Sequence, residues 1–164
     1  MEFIQFPVSE RSAFANVAAN MDLIRAAAET VVEALSRRSD EVETLKRAGF
    51  TIRVLTDKAP EMAEVDTPFG SGVVTLGWRI KGGALLGHLR FEKFCTDEYS
   101  KTFRKLVWAL MIPTHLPAYS SLGEAGFQLT ESKYDDDLKA SYFDMLGSVY
   151  GAYADFDLSV PDGL

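Results

Sequence analysis

The chain has 164 residues, of which 47% are hydrophobic, 25% charged and 12% aromatic, and its formal net charge is −7. These values exclude a disordered or fibrous chain and predict one globular domain over residues 1–164. The lone cysteine, Cys95, excludes an internal disulfide and points to the cytoplasm. The longest apolar run, residues 106–112, falls far short of the roughly 20 residues of a membrane helix, so no membrane partner is expected. The first ten residues hold two acids and no base, unlike a signal peptide.

The charge is polarised along the chain. Residues 124–164 hold nine acidic side chains against Lys133 and Lys139 and so carry the whole −7, whereas residues 79–105 hold seven basic against three acidic. An acidic total argues against duplex nucleic acid held by phosphate neutralisation, while the local basic patch could hold one small anion. Nine carboxylates are also few for a mimic of nucleic acid.

In chain order, residues 2–6 read as a short edge strand stopped by Pro7. From Ser9 the period becomes helical. Phe14, Val17, Met21, Ile24, Ala28, Val31 and Leu35 recur at spacings of three and four and predict a helix over 9–37. Its flanking positions, among them Ala13, Ala18, Ala27 and Ala34, are small and apolar where a coiled coil would carry Glu and Lys. The stripe is therefore expected to bury against a sheet or another helix. At roughly 43 Å such a helix spans the molecule and its ends could project, which leaves a homodimer open. Ser39 or Asp40 is expected to cap a second helix, ended by a Schellman turn at Gly49 with Phe50 folded back on Leu45. Residues 51–55 read as a strand. Residues 57–72, with Pro60, Pro68, Gly70 and Gly72, read as a mobile loop.

The strongest local signal is a hairpin about Gly82-Gly83. A two-residue turn there makes residues whose numbers sum to 165 face each other. Ile80, Trp78, Leu76 and Val74 then oppose Leu85, Gly87, Leu89 and Phe91 on a face with no polar side chain. Lys81, Arg79, Gly77, Thr75 and Val73 oppose Ala84, Leu86, His88, Arg90 and Glu92 on the other. A slip of one residue would mix the faces. Trp78 is expected to lie over the bare backbone of Gly87.

Thr96-Asp97-Glu98 predicts a helix start, with Tyr99, Phe103, Leu106, Val107 and Leu110 on the apolar side of a helix reaching Met111. Residues 118–126 read as a short helix or a loop, and residues 127–134 alternate like a strand. Asp135-Asp136-Asp137 opens a last helix carrying Leu138, Tyr142, Met145, Leu146, Val149 and Tyr153. The expected fold class is α+β: a long N-terminal helix and two further helices packed on a small antiparallel sheet centred on the 73–94 hairpin.

Searched for chemistry, the chain offers little. His88, His115 and Cys95 lack zinc-ligand spacing, and Asp135–Asp137 lack the alternation and central glycine of a calcium loop, so no metal is expected. Asp155-Phe156-Asp157 matches a metal-binding carboxylate pair only as a string. Ser120 and Ser121 near His115 lack the glycines of a nucleophile elbow. Cys95, at a predicted strand-to-helix turn, reads as a buried thiol or as one activated by the helix N-terminus. No phosphate-binding glycine loop occurs, and no cofactor is expected. The most suggestive cluster is Arg79, His88 and Arg90 on the polar face of the hairpin: an anion site if that face is open, or partners of Glu92 and the acidic C-terminal helix if it is covered.

Residues 118–127, Ala-Tyr-Ser-Ser-Leu-Gly-Glu-Ala-Gly-Phe, are similar to the late helix-to-strand segment of acetyltransferases of the GNAT family. That resemblance implies a pyrophosphate loop with closely spaced glycines near residues 94–99. Phe94-Cys95-Thr96-Asp97-Glu98 has no glycine and two acids there, so acetyl-CoA binding is not carried over.

Without catalytic spacing, the expected function is non-enzymatic. The chain reads as a protein-binding accessory factor, such as an inhibitor, an immunity or anti-defence factor, or a secretion-chaperone-like protein. Its expected contact surface is the acidic last helix, with Asp135, Asp136, Asp137, Tyr142, Phe143, Tyr150 and Tyr153. The alternative is a small-molecule or acyl-transfer enzyme with a pocket between the hairpin and the 57–72 loop, using His88 or Cys95.

Overall fold

The computed structural model describes the backbone of residues 8–56, 60–81, 84–114, 119–120 and 135–158, and the side chains of 16–56, 60–81, 84–114 and 141–154. The fold is α+β. Helix α1 (Val8–Glu41) and the five-residue α2 (Glu43–Arg47) precede strands β1 (Thr51–Val54), β2 (Glu61–Thr67), β3 (Gly70–Lys81), β4 (Ala84–Thr96), β5 (Thr102–Ile112) and β6 (Tyr119–Ser120). Helix α3 (Asp135–Leu158) follows. The strands form one antiparallel sheet in sequence order.

Helix α1 follows the predicted stripe. Ile24, Ala28, Val31 and Leu35 are fully shielded, whereas Val17 and Met21, nearer the N-terminus, are only half-buried. At 34 residues the helix is roughly 50 Å long. Among the described residues before Ile24 none is buried, so the start of the helix reaches past the core. The helix also runs four residues beyond the predicted end. Ser39 does not cap a new helix: it is buried, and its hydroxyl donates to the Ser36 carbonyl (2.7 Å). Val42 stands at the α2 N-cap instead, without a side-chain cap. The far end of α2 is as predicted. Gly49 takes φ +70°, its N–H donates to Lys46 O and that of Phe50 to Leu45 O, both at 3.0 Å, and the Phe50 ring enters the core. Ser36 then ties α1 to β1 by donating to the Ile52 carbonyl at 2.6 Å.

The β3–β4 ladder has the predicted register over all its pairs, from Gly72↔Lys93 to Lys81↔Ala84. Gly82 and Gly83, and hence the turn itself, lie outside the described residues, as do the predicted strands at 2–6 and 127–134 and the GNAT-like segment apart from Tyr119-Ser120. Val74, Leu89 and Phe91 face the helices in one core with Ile52, Ala63 and Val65 of β1 and β2, Trp108, Leu110 and Ile112 of β5, and Tyr142, Met145, Leu146, Val149 and Tyr153 of α3. Phe91 and Trp108 are cross-strand partners and meet edge to face, with centroids 5.2 Å apart. Gly87 does oppose Trp78, but the space above it holds the Ile24 methyl of α1 and a Leu76 methyl rather than the indole.

Two predicted elements are overturned. Residues 61–67 and 70–72 are strand, not loop: Ala63 and Val65 point into the core, and the 61–67 segment pairs on both sides. Pro68 sits between the strands, Gly70 takes φ +128°, and Gly72 lies where the Glu92 backbone and the Tyr153 hydroxyl leave no room for a side chain. Residues 102–112 are strand, not helix. The register shifts where Phe91 opposes Trp108 but Glu92 opposes Leu106, so Val107 is an extra residue, a β-bulge. That insertion turns one spacing of two into three and breaks the alternation. From Trp108 onward the strand is buried on both faces, which erases alternation altogether.

The second sheet face is also largely covered: Val73, Thr75, Leu86, His88, Glu92, Ala109 and Met111 are buried. Arg104 of β5 forms an ion pair with Glu61 of β2. Three strand spacings separate those backbones, about 14 Å in a flat sheet, so the sheet curls toward this face.

Candidate protein-binding surface

Among the described residues, exposed large apolar side chains concentrate on the distal half of the β4–β5 hairpin. The β3–β4 ladder ends at Gly72↔Lys93, so Phe94, Cys95 and Thr96 pair only with Arg104, Phe103 and Thr102, forming a two-stranded arm. Eight large hydrophobic side chains are exposed among the described residues; three of them, Phe94, Tyr99 and Phe103, are on this arm, Tyr99 at 83%, and a fourth, Leu106, lies at its base. Phe94 and Leu106 share one face of the hairpin and Phe103 stands on the other; exposed large apolar groups this close mark an interaction surface more often than scattered ones do.

The arm's tip is built by its backbone. Asp97 Oδ1 accepts from the N–H groups of Tyr99 (3.0 Å) and Lys101 (2.8 Å), and Asp97 N–H donates to Lys101 O (3.0 Å). Ser100 closes the turn at φ +62°, a left-handed conformation held by those bonds. Tyr99 is thus presented on a bonded turn. Below it the Arg104 guanidinium lies 5.7 Å from the Phe94 ring centroid, and Lys101 and Lys105 add positive charge. The surface combines aromatic anchors with cations.

The residues expected to form the acidic contact surface separate. Tyr142 and Tyr153 are in the core. Tyr153 donates to the Glu92 carbonyl at 3.0 Å, and burial, with Glu92 nearby, pushes its hydroxyl pKa well up, so it remains a donor. Tyr150 is half-buried, edge-on to Phe50 and Phe69 at 5.6 and 5.4 Å. Phe143 and Asp144 are exposed. Asp135, Asp136 and Asp137 begin α3, and their side chains lie outside those described. Core packing therefore accounts for two of the four aromatics.

Arg79, His88 and Arg90 do come together on one sheet face, opposite the helices. Arg90 pairs with Glu92 at 2.9 Å, and Glu92 accepts from Thr75 at 3.4 Å. His88 is 4% exposed, and its Nε2 has no hydrogen-bond partner among the described residues. Arg79 is open to solvent and the Arg90 side chain is 41% exposed. The cluster thus holds the Arg90–Glu92 ion pair beside a buried imidazole, with Arg79 exposed at its edge.

Burial, with Arg79 and Arg90 adding to it, lowers the His88 pKa below the ordinary 6.5. Between the two values the unfolded chain holds the proton and the folded chain does not. Stability is therefore full above about pH 6.5, falls as the pH drops through that window, and levels off below the folded pKa. The groups facing the imidazole are Arg79 on β3, Arg90 on β4 and the apolar Met111 on β5. The His88→Gln variant is expected to lose less of its melting temperature than the wild type between pH 7.5 and 5. Parallel melting curves would show that His88 is not the group that titrates.

Cys95 lies inside β4 and not before a helix, so no helix dipole activates it; its thiol is half-buried, 3.8 Å from Lys93 O. A groove does open beside the β3–β4 hairpin, on the helix side of the sheet, but neither His88 nor Cys95 lines it. Among the described residues no cluster of His, Cys, Asp or Glu could hold a metal ion, and no helix is long and apolar enough to cross a membrane. Comparison with protein-family models, with curated proteins and with solved structures gave no match.

Sequence reasoning missed the arm because it read residues 97–111 as a helix. One signal could have found it: Asp97-Glu98-Tyr99-Ser100-Lys101, a polar turn between two β-rich runs.

Proposed function

We propose that this protein works by binding another protein, in the cytoplasm, and that the β4–β5 arm is the surface that docks. One observation carries the reading: three of the eight exposed large hydrophobic side chains among those described sit on this arm, with Leu106 at its base, around a turn whose backbone is already hydrogen-bonded. A bonded turn loses less freedom on association than a loose one, and aromatic side chains are the usual anchors of protein interfaces. Lys101, exposed at the tip, favours a partner with an acidic group beside an apolar recess. The acidic surface of α3, where Phe143 and Asp144 are exposed, is the second contact this reading allows.

Three tagged baits test it in host lysate: the wild type, a Tyr99→Ser/Phe103→Ser variant and a Phe143→Ser/Asp144→Lys variant. A stoichiometric partner retained by the wild type and the α3 variant but lost by the arm variant supports the reading. The expected loss exceeds about tenfold in affinity, as for truncating an anchor at an interface centre. A partner lost only with the α3 variant would move the interface to α3. Capture of no stoichiometric protein by the wild type would count against a binding function.

A further inference from the structure

Where α1 crosses the ends of β1–β3 the two layers part into an open groove of about 660 Å³, within the range of small-molecule sites. Its floor is Val32 from the helix with Met62, Leu76 and Trp78 from the sheet. Val32 is closed to solvent and the other three are half-buried. Its helix-side rim is charged, with Arg25, Glu29 and Glu33, and Glu61 of β2 also lines it.

These charges are not equivalent. Glu61 is held by Arg104. Arg25 lies 3.9 Å from Asp22, with both side chains largely in solvent. Glu29 and Glu33 stand one helical turn apart on the groove side, and neither has an ion-pair partner among the described residues. Like charges at this spacing repel each other on a helix, and a cation placed between them relieves the repulsion.

We infer that this groove binds a cationic amphiphile, with an ammonium or guanidinium group between Glu29 and Glu33 and an apolar body on Met62, Leu76 and Trp78. The proposal does not rest on the protein-binding reading, because the arm lies at the opposite end of β4 from the Gly87 row beside the groove. A primary amine presents its three donors to two acceptor-only carboxylates. An anion of the same tail meets them as like charges. Trp78 offers its ring to either tail or cation.

The chain has two tryptophans, and Trp108 is buried in the core, so a Trp108→Phe variant leaves Trp78 as the fluorescent reporter of the groove. Titrated with octylammonium, octanol and octyl sulfate, all below micelle formation, it is expected to shift its emission to shorter wavelength and saturate most readily with octylammonium. In Glu29→Gln/Glu33→Gln the octylammonium affinity should fall about fivefold or more at low salt, with octanol unchanged. Equal or tighter binding of octyl sulfate, equal binding of octanol and octylammonium to the wild-type rim, or no saturable response to any of the three would overturn the inference. If Trp108→Phe does not fold, calorimetric titration of the wild-type and Glu29→Gln/Glu33→Gln chains reads the same selectivity.

Discussion

Replacing Gly72 by alanine is expected to cost about 3 kcal/mol or more of folding stability, an overpacking penalty at the top of the usual range. For a chain of this size that is a fall of roughly 10 °C in melting temperature. Gly72 pairs with Lys93 on the core side of the sheet, where the end of α3 comes down. A Cβ there would lie well inside contact distance of the Glu92 carbonyl oxygen, which is backbone, and 2.5 Å from the Tyr153 hydroxyl oxygen. Neither can yield cheaply, because those two atoms are already joined by the hydrogen bond that fixes α3 to β4. Gly147 is the internal control. It lies in α3 with nothing within 4 Å of an added Cβ, so Gly147→Ala should stabilise by about 0.4–1 kcal/mol through helix propensity and unfolded-state entropy. Urea unfolding of both variants compares the two signs. Similar effects from the two substitutions would mean that the β3–α3 contact is not as close as described.

The second large effect concerns the seat of α1. Ile24 is fully buried and its Cγ2 methyl fills the space over Gly87, with the Leu76 Cδ1 3.3 Å from where a Gly87 Cβ would stand. Ile24→Ala should cost about 2–5 kcal/mol through lost burial and an unfilled cavity. Gly87→Ala, by pushing the helix off the sheet, should cost about 1–3 kcal/mol. If the two positions share one space, the double variant will be more stable than the sum of the single losses by about 1 kcal/mol or more, since the new methyl enters the gap left by the old. Additive losses would show that the helix does not rest on the glycine.

The parts of the structure that were readable in advance share a physical character. The α1 stripe, the Schellman end at Gly49 and Phe50, and the β3–β4 register each involve residues close in the chain or a face whose polarity does not change along its length. Misreadings came where distant segments meet. Gly70 and Gly72 look like loop residues, yet Gly72 is small because Tyr153, 81 positions later, approaches it. The 61–67 strand carried a short alternation, Ala63 and Val65 against Glu64 and Asp66, outweighed in the reading by the prolines and glycines around it. In β5 the Val107 bulge broke the alternation, and burial on both faces from Trp108 onward removed the rest of it. The candidate surfaces follow the same division. The meeting of Arg79, His88 and Arg90 on one face was legible from register alone. That His88 is buried there, that Tyr142 and Tyr153 belong to the core, and that Tyr99 and Phe103 stand in solvent were not.

By itself the amino-acid sequence determined the class of fold, the long amphipathic helix, the pairing of the central hairpin and the side of that hairpin on which each charge stands. Those follow from periodicity and turn chemistry, which act over a few residues. Only the tertiary structure decided which aromatics are core and which are surface, where the helix and the sheet part to leave a groove, and why glycine occupies positions 72 and 87. Burial depends on which atoms from remote parts of the chain arrive at a point, and local pattern carries no record of them.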